Sequence, residues 1–300
     1  MKLVRGIAWV VLAILALITI YYIFSGPFVD DQREQAAQKK EKGGLPKETS
    51  RIERREQGMT PIEGERPPAT ETKIAIIIDD IGFDLPSVRE LLTIDAPIAF
   101  AVLPRAPHSV AAAEMLHDAG REILLHLPME PHDPGKNPGP GALFRRMGEA
   151  EIRQQVEEDL AAVPHVIGVN NHMGSAFMED EGKLAVVFGE LKKRGLFFID
   201  SRTTPHSEAG DLALKMGIPF AARKVFIDND QDHEITVKSL LGRLEKKNGN
   251  RMIMIGHPYP STVLALKEAV SILKARGVEI VPPSEMVEII DGAETNNKKD

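Results

Sequence analysis

The chain has 300 residues, no cysteine and a formal charge of −7 at neutral pH. Without cysteine there are no disulfides and no thiolate metal sites, so any transition metal must be held by histidine and carboxylate. The negative balance, with no basic, aromatic-interleaved stretch to track phosphates, argues against a nucleic-acid partner.

Lys2 and Arg5 precede an uncharged, almost wholly apolar run of 18 residues, Ile7 to Phe24. As a helix that run spans about 27 Å, close to the hydrocarbon thickness of a bilayer. The first charges after it are Asp30 and Asp31, so the positive-inside rule leaves the N-terminus in the cytoplasm and sends the rest across. The run exceeds a signal-peptide h-region, and no small-x-small site precedes Pro27. Residues 1–25 therefore read as a retained single-pass anchor in the inner membrane, with the remainder on the periplasmic side. Residues 26–72 turn to Lys, Arg, Glu, Gln and Pro with one aromatic, Phe28, and read as a charged, solvated linker.

From Lys73 the pattern alternates. Strand candidates are 73–79, 97–103, 122–127, 166–171, 196–200, 224–228, 251–256 and 278–281. Helical stretches run from Ser109 to Ala119, Glu149 to Ala162, Glu181 to Arg194 and Thr262 to Arg276, each stopped by Gly or Pro. Such alternation implies a parallel sheet with crossover helices. Seven or eight units of this kind suit a closed or nearly closed α/β barrel better than an open sheet. The barrel domain is expected over 73–291, with a polar tail at 292–300. The stretch Glu130 to Gly148, rich in Pro and Gly, exceeds an ordinary βα loop and reads either as a wall of a substrate groove or as a solvated structural loop.

Polar residues recur where the apolar runs end. The first strand ends in Asp79 and Asp80, the third in His126 with Glu130 four residues on, the fourth in Asn170, Asn171 and His172, the fifth in Asp200, and the seventh runs into His257. Ligands of parallel α/β folds bind beyond the carboxyl ends of the strands. Two adjacent carboxylates disfavour joint ionisation unless a cation or hydrogen bonds compensate them. Histidines and aspartates on one rim supply a set of two histidines and one carboxylate, which binds a divalent ion and leaves positions open for water and substrate. His206, six residues past Asp200, is a reserve candidate. No P-loop, G-x-G-x-x-G, G-x-S-x-G or H-E-x-x-H pattern is present.

The segments IIDDIG, HLPMEP, NNHMGS, FIDSRTT and GHPYP, in this order between Lys73 and about Ile290, resemble the divergent polysaccharide deacetylase family, relatives of the NodB-type carbohydrate esterases. The resemblance implies an irregular, NodB-like (β/α) barrel of about seven strands. It further implies metal-dependent removal of N-acetyl groups from a cell-envelope polysaccharide such as a peptidoglycan-like substrate. Carried onto this chain, Asp79 would be the general base, Asp80, His126 and His172 the metal set, and His257 the acid that protonates the leaving amine. Zinc is the first expectation for the metal, with manganese, cobalt or iron as alternatives. NodB-type enzymes carry H-x3-H after the third strand, whereas this chain has His126 and Glu130, so the third ligand is His172 or Glu130. The family's Arg motif is not evident unless Arg202 substitutes, and Asp200 and His206 are possible accessories. A barrel without activity that binds glycan or an envelope protein is the alternative.

Overall fold

The computed structural model describes residues 72–242 and 251–288. The expected anchor at 1–25, the linker up to residue 71 and the tail at 292–300 lie outside the described residues. Among the described residues no helix is long and apolar enough to cross a membrane.

The first half of the domain contains β1 (Lys73–Ile81), α1 (Pro86–Leu92), β2 (Ala99–Val102), α2 (Ser109–Asp118), β3 (Ile123–Met129), α3 (Glu149–Ala162) and β4 (Val166–Met173). The second half continues with α4 (Glu181–Lys193), β5 (Phe197–Asp200), α5 (Ala209–Met216), β6 (Phe220–Phe226), α6 (His233–Leu241), β7 (Arg251–Gly256), α7 (Pro260–Ala275) and β8 (Glu279–Ile280). Strands β1 to β7 pair in parallel around a ring, β1 meeting both β7 and β2, so seven strands close into a barrel. The two-residue β8 pairs with β1 at Lys73 and Ile74, below the point where β2 pairs with β1 at Ile77. It fills the gap that the short β2 leaves at the amino end of the barrel.

The expected strands are all found, with one shifted start. β6 begins at Phe220 because FAARKVF interleaves charge with apolar residues and carries no continuous hydrophobic run. Helices α1, α5 and α6 are additional; at 7 to 9 residues they are too short to show the repeating 3.6-residue stripe that marks a helix. Local chemistry sets several ends. The Asp180 side chain accepts the Lys183 N–H at the start of α4, and Asp232 accepts the Ile235 N–H at the start of α6. The Glu190 carboxylate of α4 is buried and receives Lys193 from its own helix, Arg194 from the residue that caps it and Arg153 from α3. Hydrogen bonding to Lys193 is the largest of the effects that hold its pKa down to about 2.

Side chains alternate along the strands between two cores. On β1, Ile74, Ile76 and Ile78 face the helices, whereas Ala75 and Ile77 join Ala99, Ala101, Leu124, Ile199, Ile253 and Ile255 in the barrel lumen. Phe197 fills the lumen beside Gly168, at which a Cβ would run into the phenyl ring. Val281 and Met286 close the amino end from below. Burying each of the larger of these side chains, the Ile, Leu, Val, Met and Phe residues, is worth roughly 1.5–3 kcal/mol. The lumen is thus a packed plug up to the level of Ile77 and Leu124, and polar residues begin one inward position above it.

Candidate metal centre

The site continues the inward register of the plug. Ile77 is followed at the next inward position by Asp79, Leu124 by His126, Gly168 by Asn170 and then His172, and Ile255 by His257. Strict alternation would turn Asp80 outward. A register shift prevents this: Ile78 pairs with Phe100 and Ile81 with Val102, so β1 has one residue more than β2 over this stretch. That bulge places Asp80 at φ 58, a left-handed conformation that costs a non-glycine residue energy and concentrates at functional sites. Both carboxylates consequently reach one imidazole, with His126 Nε2 lying 3.7 Å from Asp79 Oδ2 and 3.2 Å from Asp80 Oδ1.

Asp80, His126 and His172 form the single group among the described residues with three potential ligand atoms gathered at one point. His172 Nδ1 is 3.0 Å from Asp80 Oδ1 and 3.1 Å from His126 Nε2. The tautomer of His126 follows from its partner. The Asn170 Nδ2 group donates to the Asp79 carboxylate at 2.7 Å, so its Oδ1 faces His126 Nδ1 at 2.8 Å and accepts a hydrogen bond from the Nδ1–H. Nε2 of His126 is therefore left with its lone pair aimed at Asp80 and His172. Three electron-rich atoms then converge, and the buried Asp80 Oδ1 has no aligned hydrogen-bond donor. The separations of 3.0 to 3.2 Å are close to the edge of about 3.3 Å expected between ligands at 2.0–2.1 Å in a tetrahedral site. Nitrogen and oxygen donors with no thiolate fit a divalent transition ion.

The flanking groups are arranged for proton transfer. Asp79 is buried, 2% exposed, and burial raises its carboxyl pKa against the lowering charge of His126 and His257. Asp80 goes the other way: burial works to raise its pKa, but when His126 and His172 carry protons on the nitrogens that face it, their hydrogen bonding and charge outweigh burial and hold the carboxyl well below the usual range; the ligand arrangement is the one in which those protons have left. His257 donates its backbone N–H to Asp228 Oδ2 at 2.5 Å and faces Asp228 Oδ1 through Nδ1 at 3.1 Å. Burial lowers the His257 pKa, but Asp228 more than offsets it and the net direction is upward. Asp228 is further anchored by the Thr262 hydroxyl at 2.8 Å. His257 Nε2 lies 3.9 Å from Asp80 Oδ2, so Asp80 stands between His172 and His257.

Glu130 is drawn elsewhere. Its carboxylate accepts the Arg145 backbone N–H at 2.6 Å and lies 3.6 Å from the Arg145 guanidinium, bracing the loop after β3, and it is outside the three-ligand group. Asp200 is buried at the end of β5, accepts the Arg202 N–H at 2.7 Å and faces the Arg202 side chain at 3.6 Å. The guanidinium whose charge reaches Asp79 is that of Arg223 on β6, which donates to the Ser201 and Arg202 carbonyls at 2.6 and 2.9 Å. His206 lies among Thr204, Glu179 and His132, in a loop cluster outside the three-ligand group. Sequence reasoning missed Asn170, Asp228 and Arg223 as working residues. Asp228 carried the same signal as the others, a carboxylate where the run VFI ends; Arg223, within a strand, carried none.

Comparisons with known proteins follow the same outline. Residues 76–287 match the profile of divergent polysaccharide deacetylases. The chain is 35% identical over 207 residues to the uncharacterized protein YibQ of Escherichia coli, an alignment covering 68% of this chain and 64% of that protein. This chain thus spans somewhat less than two thirds of that relative. An uncharacterized Haemophilus influenzae protein is 33% identical, with 66% of this chain and 70% of the relative covered. Among solved structures, an uncharacterized protein from Agrobacterium tumefaciens superposes with a TM-score of 0.68 at 24% identity, over 72% of this chain and 89% of that one, a likeness of fold.

Proposed function

Since the chain belongs to the divergent polysaccharide deacetylase family, we propose that it is a metal-dependent hydrolase that removes N-acetyl groups from a cell-envelope polysaccharide. The observation that carries this reading is the convergence of Asp80, His126 and His172 on one point between a buried carboxylate, Asp79, and an Asp228-backed histidine, His257.

Asp80, His126 and His172 would hold the ion, zinc first among the candidates. When bound, a divalent ion supplies Lewis-acid polarisation of an amide carbonyl and acidifies water. The protein's own groups do the rest. Asp79, raised in pKa and held by the Asn170 amide, takes a proton from the attacking water. His257, whose protonated form Asp228 favours, delivers a proton to the departing amine. Asn170 holds the His126 tautomer and the Asp79 carboxylate with one side chain. Arg223 adds positive charge behind Asp79 and Asp200. The proposal includes the membrane anchor read from residues 1–25, with the barrel on the periplasmic side.

The test is metal analysis of the purified chain combined with hydrolysis of N-acetylated oligosaccharides. Asp80→Asn should lose metal and turnover together, whereas Asp79→Asn should keep metal and lose turnover by about two to four orders of magnitude. Metal binding without hydrolysis of any N-acetylated glycan would replace this reading with that of a glycan-binding barrel.

A further inference from the structure

Two clefts open on Asp80, one from each side, and their linings differ in chemistry. The first, of about 230 Å³, runs past His172 and is walled by Leu103, Pro104, Pro107, Pro128, Pro138 and Pro140. The second, of about 170 Å³, runs past His257 and carries Tyr259, Asp84 and Ser87. Phe83 borders both and is 63% exposed. Asp80 presents Oδ1 toward His172 and Oδ2 toward His257, so the scissile group sits on the divide.

The chemistry of the step assigns the clefts. Water adds to the carbonyl carbon, Asp79 takes one of its protons, the C–N bond breaks and His257 gives a proton to the nitrogen; the products are a carboxylic acid and an amine. The nitrogen must face His257, so the amine-bearing sugar occupies the second cleft, where aromatic faces, a carboxylate and a hydroxyl suit a pyranose ring. The acyl group then points away from His257, into the first cleft. That cleft is lined mainly by five prolines with Leu103, Ala106 and Phe83, Arg105 and Asn137 adding polar groups to its wall, and it far exceeds the roughly 10–15 Å³ that one water-sized group such as a methyl needs in the same measure.

We propose that the proline-walled cleft is an acyl pocket and that the protein hydrolyses N-acyl amino sugars whose acyl chain is longer than acetyl. This rests on the hydrolase reading above and extends the acyl group it removes beyond acetyl. Each methylene moved from water into the pocket should improve kcat/KM by roughly three- to fourfold until the pocket is full.

The experiment uses the full, metal-loaded chain and a series of N-acylated glucosamine oligomers from acetyl to octanoyl. The expected result is kcat/KM rising from acetyl through butanoyl or hexanoyl and then falling. Calorimetry should show hexanoate binding more tightly than acetate. Pro107→Trp on the exposed wall, or Ala106→Phe beside it, should reverse the hexanoyl-to-acetyl ratio; having two variants guards against one that does not fold. Acetyl as the best substrate, with rates falling from propanoyl onward, overturns the acyl pocket and leaves the deacetylase reading standing. A ratio unmoved in both folded variants also overturns it. No turnover of any member, acetyl included, overturns the hydrolase reading itself.

Discussion

A fully buried amide, Asn170, connects the two halves of the proposed chemistry, one hydrogen bond running to Asp79 and the other to His126. Partners of this kind set the orientation and tautomer of ligating histidines. Asn170→Ala is expected to weaken zinc affinity roughly 10- to 100-fold, measured by titration against a chelator. A second residue contributes a pH-dependent part of the stability. Asp159 on α3 is fully buried; Gln155 donates to one oxygen at 3.0 Å, Arg105 stands 3.5 Å away, Glu158 is its charged neighbour, and the other oxygen has no partner. Burial pushes its pKa up to about 7. The folded state therefore holds a proton that the unfolded state has released, and the contribution of this group to stability is full below about pH 4 and is lost as pH rises through about 7. Asp159→Asn should stabilise the fold at pH 8 by on the order of 2 kcal/mol, with the two denaturation curves converging near pH 4. At this scale the sequence showed which residues end the strands but not which of them meet. His126 and His172 lie 46 residues apart, and nothing local distinguished His172 from Glu130 as the third member.

Elements decide that meeting. The strand bulge at Asp79–Asp80 turns two neighbours to one side, and its cause is invisible in a string of residues because Asp80 adopts φ 58 with no glycine to announce it. Met173 and Arg202, at φ 51 and 52 just after the site segments of β4 and β5, repeat the pattern. The inward alternation itself was readable, since Ala75, Ile77 and Asp79 are spaced by two, as are Ile253, Ile255 and His257. The short helices and β6 were not, because too few residues repeat to establish a period. Gly168 marks another hidden constraint, for only a hydrogen at that position admits the ring of Phe197. Gly168→Ala should cost roughly 1–3 kcal/mol, seen as a lower midpoint in urea, and should be partly rescued by Phe197→Leu.

For the whole molecule, metal and fold are coupled if the three ligands are assembled only in the native barrel. Zinc at a free concentration of about 100 times Kd should then stabilise the chain by roughly 2.7 kcal/mol, a rise of roughly 5–10 °C in Tm for a domain of this size. Asp80→Asn should show no such rise under the same scan. The barrel architecture was legible from strand and helix alternation alone. The ring closure was not, since it rests on the pairing of β1 with the four-residue β2, and which strands become neighbours leaves no local sequence signal. The packed lumen has a further consequence for traffic. With Phe197, Val281 and Met286 sealing the amino end, the barrel is a cup and not a pipe. In the proposed reaction substrate would enter and both products leave over the same lip, so each turnover would have to clear the mouth before the next could begin.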